Sequence, residues 1–587
     1  MATDDISGDN VADATANAAA VASQGASLSV EPGNEGGAER AGTICLDYLE
    51  EAFAMDSRTI LGRQAAGAAF LSAYVRHSGA SSITAYTRGD AEGRGFVRSL
   101  KGRAPKLRAD WTTLRDVGPI ERAGTLFCFH PELEEHAWRR RVNGNRNYSI
   151  CGATHTMSSH LAMRAVTQMV MAPLYSWDAL ICTSTAIRDM VSRLVDAQAE
   201  YVEERFGVPP RDRPQLPLIP LGVDGDAFAF PESRRADARR KLGIGPDEIA
   251  VVYVGRLSAH AKANPIPMLM ALGRAAARCP GRKLHMLFVG WFAGEFQQRL
   301  FAEAAARLCP QVRLHLIDGT RAPLKNAAWA GGDIFFQLVD NIQESFGLAP
   351  VEAMAAGLPV VVSDWDGFRD SIVHGEQGFL VRTMMPQPGL GGDIALSYAE
   401  GVIDYDLYVG AVSQLCMVHI EEASDYLVRL IDDAELRARM GAAGRRRVEQ
   451  RLDWRHVIAQ YQSLWAELGE LRRSAGEHAR PSGTVRPDRM DPLQLFASFP
   501  TRAGGADTPV GLPADATFLD PGVLDLKGAR IVPAVLPGDD EIAAIRAALA
   551  AGCSTVGEIA EAFPEERRRT IVRGVHWLAK FGMLDLG

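Results

Sequence analysis

The sequence predicts an α/β chain: two successive doubly wound parallel sheets, followed by a small helical domain. Three observations carry that expectation. Short apolar runs alternate with longer helical patterns from about Thr43 to Asp224, and the alternation restarts after a charged helix, "PESRRADARRKLG"; strands alternating with helices indicate a parallel sheet covered on both faces. The valine-rich runs of the second half, such as "IAVVYVG" and "LPVVVSD", are apolar throughout, as a sheet buried on both sides requires. The last fifty or so residues restart as short helices with no strand pattern between them.

Length and composition bound the reading. A chain of 587 residues is long enough for roughly three to four domains. Hydrophobic content of 47% and charged content of 23% are those of a globular protein with a sizeable core. The net charge of -9 disfavours nucleic acid as the main partner, because such domains carry excess Lys and Arg. The eight cysteines are scattered, with no CxxC, and Cys128, Cys151 and Cys182 lie in apolar runs. Such thiols suit a reducing, cytoplasmic setting rather than a disulfide framework. The N-terminus, "MATDDISGDN", is acidic and does not read as a secretory signal. No run of about 18 apolar residues marks a membrane span, although peripheral contact with the inner face of a membrane is compatible with the sequence.

Residues 1–40 are rich in Ala, Gly, Ser and Asp and read as a disordered tail. Residues 41–225 form the first α/β domain. Its strand candidates are "TICLDYL", "SSITAYT", "GTLFCFH", "NYSICGATH", "DALICTS" and "LPLIPLGVD", and "GRQAAGAAFLSAYVRH" is a helix. Residues 226–475 form the second, with strands at "IAVVYVG", "KLHMLFVG", "VRLHLID", "DIFFQLV" and "LPVVVSD". The long amphipathic helix "WRHVIAQYQSLWAELGELRRS" closes it. Residues 476–535 are rich in turn-forming Gly and Pro and read as a linker or extension. Residues 536–587 hold three short helices, with Ile571, Val575 and Leu578 at i, i+4, i+7, and resemble a small winged-helix domain. From Asp539 onward there are eight Asp/Glu against six Lys/Arg, a balance that favours protein docking over DNA.

The segment with the most chemistry is "ESFGLAPVEAMAAGLPVVVSD", Glu344 to Asp364. It follows a strand that ends near Val339, and ligands of open α/β sheets bind beyond such strand ends. Pro350 suits the first turn of a short helix, and Gly357 with Pro359 suits its end. The helix N-terminus offers free N–H groups and partial positive charge, an anion site. Glu344 lies in the loop before it and Glu352 in its expected first turn. A glutamate at that place is often only a dipole or capping residue, and a loop glutamate is often solvated.

The wider pattern resembles the signature of retaining glycosyltransferases of the GT-B fold, family four. Glu344, Ser345, Phe346, Gly347 and Leu348, then Glu352-Ala353-Met354-Ala355-Ala356-Gly357-Leu358-Pro359-Val360, follow the family's order of residues. The resemblance covers roughly residues 43 to 475. It implies two Rossmann-like domains facing across a cleft, a nucleotide-sugar donor held by the second, and a glycan or lipid-linked acceptor held by the first. It also implies that Glu344 contacts the donor sugar, that Glu352 binds the ribose, and that backbone amides at Ser345 to Leu348 meet sugar and phosphates. "VVYVGRLSAHAK" resembles the family's Gly-Arg-Leu followed by Lys, which assigns Gly255, Arg256 and Lys262 to the diphosphate; here the lysine stands one residue later than usual. Cations at that place stabilise the charge that develops on the leaving group.

No metal or other cofactor is expected, since the nucleotide-sugar is a co-substrate. "DWD" at Asp364 to Asp366 spells the metal motif of a different glycosyltransferase fold but follows the wrong strand, and no His/Cys cluster has ligand spacing. In the first domain, His155 in "GATHTMSS" resembles the His-Thr of bacterial phosphatidylinositol mannosyltransferases, which implies contact with donor sugar or acceptor. His130 ends a neighbouring strand and is a candidate for the same acceptor or phosphate side. Gly62 and Gly67 in "LGRQAAGAAF" resemble the Gly-containing first loop that approaches phosphates or acceptor, where Arg63 can pair with an anion, while helix packing accounts equally for Gly67. Of three arginine triplets, Arg139–Arg141 is the one placed to meet an anionic lipid or a pyrophosphate-linked acceptor. The resemblance favours cell-surface or exopolysaccharide synthesis. The alternatives are a nucleotide-sugar-binding relative without transfer, as an epimerase or inactive scaffold, and a regulator acting through the C-terminal domain.

Overall fold

The structure, a computed structural model, describes residues 43–53, 62–102, 104–113, 116–476, 486–514 and 521–587. The expected tail at 1–40 lies outside the described residues. The chain divides into two compact units, one running to Pro487 and one from Asp488 to Gly587.

The first unit contains two six-stranded sheets, and every strand pairing in them is parallel. The first sheet is built from β1 (Cys45–Asp47), β2 (Ser82–Thr87), β3 (Arg108–Thr113), β4 (Thr125–Cys128), β5 (Ser149–Ala153) and β6 (Ala179–Ile181), in the order β3-β2-β1-β4-β5-β6. The second is built from β7 (Ile249–Val254), β8 (Leu284–Gly290), β9 (Arg313–Asp318), β10 (Ile334–Gln337), β11 (Val360–Ser363) and β12 (Gly378–Val381), in the order β12-β11-β10-β7-β8-β9. Both run outward from a central pair, so each has a switch point where the strand order reverses: β1/β4 in one, β7/β10 in the other. This is the two-domain α/β architecture that the GT-B resemblance implies.

The central strands follow their composition. All six residues of β7, "IAVVYV", are buried, as are "IFFQ" of β10 and "VVVS" of β11. Two edge strands escape the apolar pattern. In β3, "RADWTT", exposed and partly buried residues alternate, and β9, "RLHLID", has exposed ends and no buried residue. One expected strand is absent. "LPLIPLGVD" forms only isolated bridges, such as Cys182 with Leu218, because Pro214, Pro217 and Pro220 remove the N–H donors that a ladder needs.

The helix Trp454–Ser474 forms over the expected residues, capped by Asp453, whose side chain accepts from Arg455 N–H. It packs on the first sheet: the rings of Tyr461 and Trp465 lie 5.5 and 5.4 Å from that of Phe127. Each such buried aromatic contributes about 2–3 kcal/mol of apolar transfer free energy.

In the second unit the helices Asp539–Ala550, Val556–Glu561 and Glu565–Lys580 form where expected. Ile571, Val575 and Leu578 are fully buried with Ile545 and Ile559. Described residues of the Gly/Pro-rich segment before them, from 505 to 514 and at Ala529, pack onto these helices. Two isolated bridges, Pro509 with Thr555 and Gly511 with Asp585, tie them down, and Trp577 Nε1 donates to the Ala529 carbonyl at 2.8 Å.

Candidate active site

The two glycosyltransferase-like segments leave the second sheet at its switch point. β7 runs into Gly255–Lys262 and β10 runs into Asp340–Leu348. Arg256, Lys262, Glu344, Ser345, Phe346, Gly347 and Leu348 therefore converge on two adjoining loops. The Lys262 ammonium lies on the Glu344 carboxylate. The Arg256 guanidinium donates to Gln343 Oε1 and to the Ala261 carbonyl. Asn341, almost fully buried, stitches the loops together: its amide donates to the His260 carbonyl and its Oδ1 accepts from Gln343 N–H at 2.8 Å.

Glycine permits this closeness at two places. Gly255 has φ +156°, and a side chain on the neighbouring Gly290 would put a Cβ 1.9 Å from the Gly255 carbonyl oxygen. The Tyr253 hydroxyl donates to the Arg256 carbonyl at 3.1 Å and holds the turn. Gly347 has φ +89°, and a Cβ there would stand 2.0 Å from the Phe368 ring. With Gly347 as the N-cap, the helix runs Leu348–Ala355 and its first amides have no side-chain cap. The helix thus begins two residues before Pro350, and Glu352 lies in its second turn rather than its first. Glu352 is therefore not a capping or first-turn dipole residue. Burial pushes its carboxyl pKa up, and Lys325 pulls it back.

The first domain faces these loops with a row of hydroxyls. Thr156 Oγ1 donates to the Gln343 carbonyl and Thr183 Oγ1 to the Ser345 carbonyl, both at 3.4 Å. Ser184 Oγ donates to Asp366 Oδ1 at 2.6 Å. Thr185 donates to both oxygens of Asp370, at 2.7 and 2.8 Å. His155 lies just after β5; its Nε2 bonds the Phe129 carbonyl at 3.1 Å and its ring packs on Phe129. Beside Asp366 a cavity of about 310 Å³ is lined by Thr185, Asp189, Arg193, Arg369 and Asp370.

Asp366, Asp370, Gln343, Lys325 and the Thr183–Thr185 hydroxyls were not among the site residues expected from sequence. Asp366 is the one non-glycine residue with positive φ, +42°, among the described residues. Its carboxyl pKa is pushed up to about 7 by burial and by the negative charge of Glu344 and Asp370, against the Ser184 hydrogen bond. The "DWD" spelling had set it aside as a false metal motif.

Other expected residues stand elsewhere. His130 is not joined to the Arg256–Glu344 loops; it bonds Asp47 at 2.8 Å. Gly62 opens the helix Gly62–His77, and the side chain of Arg63 lies outside the described residues. Gly67 has a packing role, since a Cβ there would meet the Ala52 carbonyl at 2.4 Å. The triplet Arg139–Arg141 is not an open basic surface. Arg140 is 1% exposed, forms a bidentate pair with Asp178 at 2.6 and 2.7 Å, and Arg139 reaches the Tyr86 hydroxyl. A helix that buries one face buries the middle arginine, which then needs a carboxylate. Among the described residues no helix is long and apolar enough to cross a membrane.

Part of the chain matches known proteins. Residues 234–387 match the family of glycosyl transferases group 1. The D-inositol 3-phosphate glycosyltransferase of Nocardia farcinica is 33% identical over 196 residues, covering 32% of this chain and 41% of that protein. The protein of the same name from Corynebacterium efficiens is 26% identical over 274 residues, covering 46% and 55%. The chain thus spans about two-fifths to a little over half the length of these curated relatives. Among solved structures, Anabaena Alr3699/HepE in complex with UDP and glucose aligns over 72% of this chain and 99% of that one, at 15% identity and a TM-score of 0.46.

Proposed function

We propose that this chain transfers a sugar from a nucleotide-sugar to an acceptor hydroxyl, with retention of configuration and without a metal at the donor site. The observation that carries the reading is the convergence of Arg256, Lys262 and Glu344 beside the uncapped start of the Leu348–Ala355 helix, at the switch point of the second sheet. An arginine, a lysine and free helix amides together suit a diphosphate. In this reading Lys262 exchanges Glu344 for a phosphate oxygen, which frees the carboxylate for the donor sugar. The amides of Phe346 to Leu348 face the phosphates, Gly255 lets backbone approach them, and Glu352 takes the ribose hydroxyls.

The reaction follows from the placement of charge. The bond between the anomeric carbon and the phosphate oxygen breaks, and negative charge develops on the diphosphate, where Arg256 and Lys262 offset it. The acceptor oxygen bonds to the anomeric carbon from the face the diphosphate leaves. Its proton passes to the departing phosphate oxygen. No carboxylate nucleophile is required on the first domain. His155 orients the donor sugar or the acceptor, and the Thr156 and Thr183 hydroxyls brace the Gln343–Ser345 segment. The name shared by the curated relatives supports a phosphorylated polyol or related glycan precursor as acceptor, and the family resemblance supports cell-surface glycan synthesis. The three-helix unit, acidic on balance, reads as a protein-docking module.

The test is sugar transfer by wild type and by Arg256→Ala, with radiolabelled nucleotide-sugars. The variant is expected to lose about 10²- to 10³-fold in kcat while the chain still folds and melts cooperatively. Undiminished turnover would remove Arg256 from the leaving-group site.

A further inference from the structure

The first sheet has its own switch point, and an unusual set of side chains meets there. Asp47 ends β1 and Cys128 ends β4; the two are register partners on neighbouring parallel strands, so they stand side by side. His130 lies two residues beyond Cys128, and His136 is in the first turn of the helix Glu134–Asn143. One oxygen, Asp47 Oδ2, meets His130 Nε2 at 2.8 Å and His136 Nε2 at 3.1 Å. One donor atom from each of the four residues lies within 4.8 Å of those of the other three. Asp47, Cys128 and His136 are buried and His130 is half-buried. His136 Nδ1 is buried with no hydrogen-bond partner.

We propose that Asp47, Cys128, His130 and His136 bind a divalent transition-metal ion, zinc by its donor set, at the carboxyl end of the first sheet. Two imidazoles, a thiolate and a carboxylate match the ligand types and number of a tetrahedral zinc site. Packing two imidazoles on one carboxylate oxygen beside a buried thiol is a poor use of hydrogen bonds alone. A cation among the four ligand atoms gives Asp47, Cys128 and the two Nε2 atoms a shared partner, while His136 Nδ1 stays buried without one. Binding releases the thiol proton to solvent, and in each imidazole the Nε2 proton moves to Nδ1, so His130 gives up its long contact from Glu132 N–H at 3.2 Å.

Four protein donors leave no open position, so the ion is structural and takes no part in sugar transfer. It clamps the turn after β4 against β1. That turn includes Phe129, whose carbonyl holds the His155 ring, so the clamp fixes the acceptor-side wall. Sequence spacing hides the site, because Asp47 precedes His130 by 83 residues.

The experiment is cobalt titration of the full chain after chelator treatment. Wild type is expected to show saturable visible bands of tetrahedral Co²⁺ with a near-ultraviolet thiolate band, both erased by Zn²⁺. Cys128→Ala is expected to lose the thiolate band. His130→Ala, at the half-buried ligand, is expected to weaken binding at least tenfold and to alter the visible bands. Absence of a saturable spectrum in wild type overturns the proposal, as does a Cys128→Ala spectrum identical to wild type. If Cys128→Ala does not fold, His130→Ala decides, and unchanged affinity and spectrum in it overturn the assignment.

Discussion

Asp366 shows how a single residue can matter without announcing itself. Its backbone is left-handed, its side chain is held by Ser184, and its neighbours Glu344 and Asp370 are both acidic. A carboxyl raised to about 7 keeps its proton in the folded chain over a range where the unfolded chain has released it. The folded state then binds more protons, and stability falls as pH rises from about 4 to about 7. Asp366→Asn does not titrate, keeps an acceptor for Ser184, and tolerates the left-handed backbone. The variant is therefore expected to be more stable than wild type by on the order of 2–3 kcal/mol at pH 8, with the gap closing towards pH 4. Thermal melts across that range check it, and a gap that does not vary with pH would contradict the protonation argument. Glu344, Arg256 and Lys262 were legible as residues because each belongs to a spelled motif beside a strand end. Asp366 was not, because its importance comes from the carboxylates and hydroxyls that folding brings to it.

Among the elements, the two loops at β7/β10 depend on the short helix that follows Gly347. That helix starts where it does because glycine accepts φ +89° and because no side chain intrudes on Phe368. Gly347→Ala is expected to cost about 1–2 kcal/mol from the backbone alone. The ring clash adds about 1–3 kcal/mol of overpacking. It should also weaken nucleotide-sugar binding, because the Phe346–Leu348 amides must shift. Wild-type melting temperature and wild-type affinity together would show that the turn is not under this constraint. The apolar strands of the second sheet were readable, since burial on both faces leaves a continuous run of Val, Ile and Phe. The edge strand β3 was not, because exposed and partly buried side chains alternate along it. "LPLIPLGVD" misled in the other direction: Ile219, Leu221 and Val223 are buried, but its prolines prevent a ladder.

At the scale of the whole molecule, two copies of one topology face each other within a single compact unit. The second presents cations, a carboxylate and helix amides at its switch point. The first presents hydroxyls and a histidine from the turns after β5 and β6. That pairing was expected from the GT-B resemblance, but the hydrogen bonds between Thr156 and Gln343, Thr183 and Ser345, and Ser184 and Asp366 were not. Hydroxyl residues carry no motif, and only the fold shows that they line one wall. Calorimetric titration of the full chain with UDP-, GDP- and ADP-sugars, repeated with Glu352→Ala, tests the shared cleft most directly. One nucleotide-sugar is expected to bind wild type saturably and to lose at least about tenfold in affinity in the variant, the cost of one charge-assisted hydrogen bond. If none of the three binds, or if binding is the same without the Glu352 carboxylate, the site does not hold a nucleotide-sugar as described.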